Sequence, residues 1–336
     1  MIKIYDNYPL LSHNTFGIEA TAKQFVDFET EEELLSFLGE GYGSRSLVIG
    51  GGSNLLFVKD FDGTVFHSSI KGIEVLNENE TDVVLRVGSG VNWDDFVAYT
   101  VEKGWCGIEN LSLIPGEVGA SAVQNVGAYG VEAGELIEKV ETVAIAKATR
   151  HSFTKKECRF AYRHSIFKAE EKGRHIITYV TYRLKKNSGF KLSYGNLNEK
   201  VAMLGETNLA NVRAAVCDIR RAKLPCPSET GSAGSFFMNP VVDALQAAQL
   251  KEKYPQMPQY PLENGNVKLS AGWLIDRCGW KERPHKNVGV YEHQALVVIN
   301  RGGATGCDVL AFAAEVVASV KERFGVLLNM EVNVIE

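Results

Sequence analysis

The sequence predicts an α+β fold, and three observations carry that expectation. Strand-like segments and a few amphipathic helices follow one another without a regular strand–helix repeat, which disfavours a doubly wound parallel sheet. Glycine, 32 of 336 residues, is concentrated in a few loops between apolar runs. One long helix stops at Pro225 and Pro227, after which the composition resets; this marks a domain boundary near residue 224.

The length suggests two or three domains, each able to bury a core. With 45% apolar and 23% charged residues, disordered, collagenous and small disulfide-stapled classes are excluded. The 36 basic and 41 acidic residues leave a formal net charge of −5, so no general affinity for nucleic acid or anionic membrane is expected. No run reaches the ~18 apolar residues of a membrane span, and Met1 to Phe16 lacks the pattern of a secretion signal. A cytoplasmic protein is the expectation. The six cysteines contain no C-x-x-C pair, which argues against a zinc ribbon, and no metal site is predicted.

In chain order, Val48 to Phe57 reads as strand, tight loop, strand, with Gly50, Gly51, Gly52, Ser53 and Asn54 forming the loop. Such a loop can offer backbone N–H groups to an anion. It is not a dinucleotide fingerprint, because Leu55 stands where the third glycine of G-x-G-x-x-G is required. On its own it is equally a plain hairpin turn. Asn92 starts a helix that Gly104 ends, with Asp94 and Asp95 in its first turn. Strands are expected at Val83 to Val87, Val140 to Ala146 and Ile176 to Leu184.

A second stretch of small residues runs from Leu111 to Gly130 and is too glycine-punctuated for a simple core helix. Paired with the Gly50 loop, its segment Pro115 to Ala120 could cradle the other end of a diphosphate. The segment Phe160 to Lys168 places Tyr162, Arg163, His164 and Ser165 between apolar residues; a buried tyrosine and an exposed arginine on a helix surface would explain it equally well. Leu209, Val212, Val216 and Ile219 mark a helix from Thr207, its expected cap, to Lys223. Arg220, Arg221 and Lys223 complement the dipole at its end. An Ala-rich helix to Lys253, a helix from Gly306 to Phe324 closed by Gly325, and a terminal strand from Leu327 to Ile335 follow. Glu331 lies in that strand, on a solvated face or at a cleft.

With these residues assembled, the sequence resembles the UDP-N-acetylenolpyruvoylglucosamine reductases, flavoenzymes that make UDP-N-acetylmuramate for the bacterial cell wall. The resemblance spans essentially the whole chain. It rests on His13 to Phe16, the Gly50 loop, Gly107 to Leu111 with Ile114 to Gly116, Gln124 to Tyr129, Tyr162-Arg163 with Ser165 to Phe167, Gly231 to Pro240, Ala271 to Asp276 and Glu331. Tyr194 to Leu197 is similar to the tyrosine loop of the longer subclass.

The resemblance implies a two-part FAD-binding domain of the vanillyl-alcohol-oxidase type, residues 1–67 and 68–223, then a smaller substrate domain, 224–325, and a last strand, 326–336, returning to the FAD-binding part. It implies non-covalent FAD held by Gly50 to Asn54, Ile114, Pro115, Gly116, Gly119, Ala120, Ser121 and Asn125. NADPH would be the co-substrate, reducing FAD before hydride passes to the enolpyruvyl carbon of a UDP-sugar. The implied catalytic set is Arg163 and Glu331, polarising the substrate carboxylate, and Ser235, the proton donor; Glu331 would have to carry a proton to donate a hydrogen bond. The three are expected to meet over one flavin ring. Tyr162, Tyr194, Lys223, Asn239 and Gln294 would hold the substrate, and the chain would act as a monomer. Trp280 to His285 receives no role. The loops themselves leave open an FAD oxidase of an alcohol or sugar, and a non-catalytic nucleotide-binding module.

Overall fold

The computed structural model describes residues 1–336 except Ser44, Ser228, Pro284 and His285. The chain separates into two compact units. The first comprises Met1–Tyr8, Ala22–Gly51 and Asp62–Arg220, and the second Pro9–Thr21, Gly52–Phe61 and Arg221–Glu336. The first glycine loop is thus divided between them at residues 51 and 52.

In the first unit, a four-stranded sheet runs in the order Lys3–Pro9, Thr21–Phe28, Phe61–Ser68, Ser46–Ile49. Its last two strands are parallel, with Ile49 opposite His67. The helix Glu31–Gly39 starts at Thr30, whose hydroxyl accepts from Glu33 N, and carries three acidic residues in its first turn. Its Leu34 and Leu38 bury with Val26, Phe28 and Phe66. A five-stranded antiparallel sheet is ordered Thr149–Thr154, Ile137–Ala144, His175–Lys185, Asp82–Gly88, Ile73–Glu78. The three strands foreseen from β-branched alternation are its central members.

The larger core of this unit combines Val83, Leu85 and Val87 with Trp93, Phe96 and Val97 of the helix Trp93–Glu102, and with Val180, Tyr182 and Leu184. Polar tips inside it are satisfied: Trp93 Nε1 donates to Leu111 O at 2.9 Å, and the Tyr182 hydroxyl lies 2.7 Å from Ser121 Oγ. Asn92 caps the helix by accepting from Asp95 N, and Gly104 leaves it at φ +76°.

The helix Leu209–Lys223 buries Val212, Ala215, Val216 and Ile219 against Leu197 and Val201 of a helix, Leu197–Leu204, that the sequence reading did not foresee. Its start also differs from expectation. Asn208, not Thr207, is the cap: its Oδ1 accepts from Asn211 N at 2.9 Å while its carbonyl accepts from Val212 N. An amide oxygen one residue nearer the first turn reaches the orphan N–H that the threonine cannot.

The second unit holds the antiparallel sheet Gly231–Ser235, Gln294–Asn300, Val288–Tyr291, and another formed by Val241–Val242, Val267–Leu269 and Gln259–Pro261. Helices Ala244–Lys253, Ala271–Arg277 and Gly306–Phe324 pack with them, the last closed by Gly325 at φ +67°. The terminal segment is less regular than predicted. Only Asn333–Ile335 is a strand, running parallel to Leu55–Phe57. Before it, Met238 N donates to Asn329 O and Glu331 N to Phe236 O. The segment therefore changes pairing partner between Glu331 and Asn333, which breaks one strand into two short pairings. No described helix is long and apolar enough to cross a membrane.

Replacing Asn208 with Ala should lower unfolding free energy in urea by ~1 kcal/mol, while Thr207→Ala should change it by less than about 0.5 kcal/mol. Equal losses for the two would return the cap to Thr207.

Candidate active site

In the first unit, Gly50 and Gly51 follow the strand Ser46–Ile49, and the second small-residue segment faces them. A Cβ built on Gly51 would lie 3.1 Å from the Gly116 Cα, and one on Gly50 would lie 3.1 Å from Glu117 Oε2 and 3.5 Å from Ala120 Cβ. Two backbones thus approach where side chains would hold them apart. Gly51 and Ala120 are exposed beside this approach, leaving peptide groups open to a polyanion such as a pyrophosphate. These residues fit the diphosphate of a dinucleotide cofactor.

The second segment is pinned from several directions. Gly116 O accepts from Trp93 N, Val118 N donates to Val91 O, and Gly119 N donates to Ser89 O. A Cβ on Gly119 would come within 2.8 Å of Ser89 Cβ, so glycine is needed for this closeness. Leu113, at φ +58°, is held at both ends: its N–H donates to Asp94 Oδ1 at 2.5 Å and its carbonyl accepts from Arg220 Nε at 3.2 Å. Arg213 grips the same Asp94 with two bonds, of 2.6 and 2.9 Å. Burial pushes the Asp94 carboxyl up, but Arg213 and the Leu113 N–H outweigh it and hold it below the usual carboxylate range. Burial draws Arg220 below its ordinary value, against the opposing influence of Tyr129. Both arginines therefore position the entry to Ile114-Pro115-Gly116, a role that the helix-dipole reading of Arg220 did not contain.

Despite its glycines, this segment does form a short helix, Val118–Gln124. Ser121 and Asn125 are committed to structural bonds. Ser121 Oγ meets Val118 O and the Tyr182 hydroxyl, both at 2.7 Å. Asn125 closes the helix at φ +47°, an angle asparagine tolerates. Its Nδ2 donates to Glu132 Oε2 at 2.7 Å and Ala161 O at 2.8 Å, and its Oδ1 accepts from Gly134 N at 2.8 Å.

Ala161 opens the turn that carries Arg163. Its N–H donates to His164 O at 3.1 Å, and His164 N donates back to Ala161 O at 2.9 Å, so Tyr162 and Arg163 occupy the tip. This replaces the helix surface considered from sequence: Tyr162 is 42% exposed rather than buried, because the tip residues of a tight turn point away from the core. Arg163 takes φ +54°, a costly angle for a non-glycine residue. Its Nη2 donates to Gly127 O at 2.9 Å, and a Cβ on Gly127 would crowd Nη1 at 3.0 Å. Tyr194, also in this unit, is exposed and edge-on to Tyr129, with centroids 5.7 Å apart. Cys106 is a packed thiol, its Sγ 3.7 Å from Lys186 O.

In the second unit, Gly52 sits at φ +64°, where a Cβ would strike His13 O at 1.9 Å. Asn54 Nδ2 donates to Glu331 O at 3.3 Å, and Asn54 O accepts from the backbone and side chain of Asn333, both at 3.1 Å. Ser235 ends its strand after a register shift at Gly234, φ +69°, the kind of bulge that re-aims a side chain. Because Glu331 N bonds Phe236 O, Ser235 and Glu331 lie on adjoining backbone segments. Asn239 and Gln294 also converge: Asn239 Oδ1 accepts from Ala271 N at 3.0 Å, and a Cβ on Gly272 would lie 3.1 Å from Gln294 Oε1. Lys223 is exposed at the end of its helix. In Trp280 to His285, Trp280 is buried, bonded to Ser319 Oγ and covered by Arg283 at 4.1 Å, which is structural; Pro284 and His285 lie outside the described residues.

Residues 22–153 match the model described as "FAD binding domain", and residues 226–335 match "UDP-N-acetylenolpyruvoylglucosamine reductase, C-terminal domain". The reductase of that name from Bacteroides fragilis (strain YCH46) is 50% identical over 98% of this chain and 99% of its own length. The chain belongs to the UDP-N-acetylenolpyruvoylglucosamine reductase family. The Amoebophilus asiaticus relative is 48% identical over 99% of both chains. The fold agrees with the crystal structure of UDP-N-acetylenolpyruvylglucosamine reductase from Thermus caldophilus, at a TM-score of 0.68 and 24% identity over 100% of this chain and 99% of that one. The protein is therefore a flavoenzyme, and the oxidase and non-catalytic alternatives are set aside. Both glycine loops fall inside the matched FAD region, and Ser235, Asn239, Gln294 and Glu331 inside the matched reductase region.

A branched side chain at Gly51 should drive Gly116 away, so Gly51→Val should raise the FAD dissociation constant at least ~10-fold, read by flavin fluorescence. Unchanged FAD retention would remove these loops from the cofactor site.

Proposed function

We infer that this protein reduces UDP-N-acetylglucosamine enolpyruvate to UDP-N-acetylmuramate, a step of peptidoglycan precursor synthesis, with FAD as cofactor and NADPH as co-substrate. The near-full-length identity of 50% to a reductase of that name carries the reading. When bound, FAD supplies hydride transfer from NADPH to the enolpyruvyl double bond.

The chain's own residues supply the rest. Reduction of the substrate at its terminal carbon places negative charge on the neighbouring carboxylate, which needs an electrostatic partner. Arg163 takes this part: its planar fork suits a carboxylate, and the Gly127 carbonyl orients it. Losing one such donor weakens comparable sites by ~10² to 10³ in rate. Glu331 joins Arg163 in polarising the same carboxylate. Ser235 gives its hydroxyl proton to the adjacent carbon, and the bulge at Gly234 sets its direction.

Gly50 to Asn54, Ile114, Pro115, Gly116, Gly119 and Ala120 hold the flavin nucleotide, while Ser121 and Asn125 shape that segment from within. Tyr162, Tyr194, Lys223, Asn239 and Gln294 hold the UDP-sugar, with Lys223 as a point charge for phosphate. Residues 1–67 and 68–223 serve as the two parts of the FAD domain, 224–325 as the substrate domain, and 326–336 as the closing segment, whose strand is Asn333–Ile335. The enzyme acts as a cytoplasmic monomer, with no part for membrane or nucleic acid; its net negative charge supports the latter.

Ser235→Ala should leave flavin reduction by NADPH within about threefold of wild type while slowing the second half-reaction at least ~10², measured by anaerobic stopped-flow. Equal slowing of both halves would overturn the proton-donor role.

A further inference from the structure

His67 lies opposite Ile49 in the parallel ladder, directly beside the start of the Gly50 loop. Its ring bridges two carboxylates: Nδ1 is 2.8 Å from Asp27 Oδ1, and Nε2 is 3.2 Å from Glu117 Oε1. Asp27 is on the strand Thr21–Phe28, and Glu117 begins the helix Val118–Gln124. Glu117 makes no capping bond to that helix; its other oxygen, Oε2, lies against Gly50. All three side chains are about 15% exposed, so solvent and salt screen them incompletely.

Carboxylates accept hydrogen bonds and cannot donate them, whereas a neutral imidazole has a single N–H. Both contacts are therefore satisfied together only by the doubly protonated ring. Burial pulls the His67 pKa down, but the bonds and charges of Glu117 and Asp27 outweigh it and hold it above the ordinary histidine value. Asp27 also accepts from Ser69 Oγ at 2.6 Å and has Lys3 Nζ at 3.9 Å. Phe25 stacks on the ring, with Tyr8 stacked on Phe25. The Asp27 bond is the shorter, so a neutral ring keeps its proton on Nδ1 and turns a bare Nε2 lone pair toward Glu117.

We propose that His67 is a positioning residue for FAD: its imidazolium holds Glu117, and with it the segment 115–120, against Gly50, so that FAD retention weakens as the solution turns alkaline. This rests on the reading that the two glycine loops hold FAD. A histidine whose pKa is raised by folding contributes fully below its unfolded value and loses that contribution as pH rises through the folded value. The window therefore lies above the ordinary ~6.5 of histidine.

The test is FAD affinity of reconstituted protein, by flavin fluorescence, between about pH 6 and about pH 9.5. The wild-type dissociation constant should rise on the order of fivefold across that range. Glu117→Gln should flatten the profile, because a carboxamide can donate to a neutral Nε2 and accept from a protonated one. His67→Leu should bind FAD more weakly at every pH. In wild-type protein, the imidazole resonance that is missing from His67→Gln should titrate above the ordinary histidine range; titration at or below that range overturns the proposal, whatever the variants do. So does a shared pH profile for wild type and Glu117→Gln. If Gly51→Val still weakens FAD in that case, the proposal alone has failed; if Gly51→Val binds normally, the loop reading has failed with it.

Discussion

The approach of Gly51 to Gly116 is the constraint on which the first unit's proposed cofactor region depends. A Cβ at 3.1 Å from a backbone carbon is tighter than ordinary packing, so any side chain at Gly51 would push the Gly116 backbone back by a few tenths of an ångström. The surrounding structure then keeps the two segments in place. Leu113 is fastened by Asp94 and Arg220, Gly116 and Val118 by the start of the helix Trp93–Glu102, and Gly119 by Ser89. Each of these bonds joins residues of this chain to one another, so the segment facing Gly50 and Gly51 is braced by the protein itself.

A similar economy appears around the catalytic candidates. Arg163 sits in a sparsely populated backbone region, and that angle persists because the Ala161–His164 turn and the Gly127 carbonyl over-determine it. Ser235 is directed by a bulge whose glycine takes a left-handed angle. In both cases a left-handed backbone angle, costly at Arg163 and unstrained at Gly234, breaks the regular structure beside a polar group.

Much of this was legible in the sequence because the relevant signals are local. Asn92 and Gly104 delimit their helix, Pro225 and Pro227 follow the end of theirs, and the alternation from Ile176 to Leu184 marks a central strand. Errors arose where two local solutions compete, as between Thr207 and Asn208, or where pairing changes along a segment, as after Leu327. The turn at Tyr162-Arg163 was hidden because its apolar neighbours fit a helix equally well. The His67 cluster had no sequence signal. Its partners are 40 and 50 residues away, and only sheet register and the placement of the second loop bring them together.

Asn125 bears on how this enzyme tolerates genetic change. Its amide donates to a carboxylate and a carbonyl while accepting from a peptide N–H. Aspartate, nearly identical in shape and one nucleotide away in the genetic code, would keep the acceptor but turn the donor into a second anion facing Glu132. Here a replacement that looks mild in shape sets two carboxylates against each other, so this codon is confined by charge as well as by size.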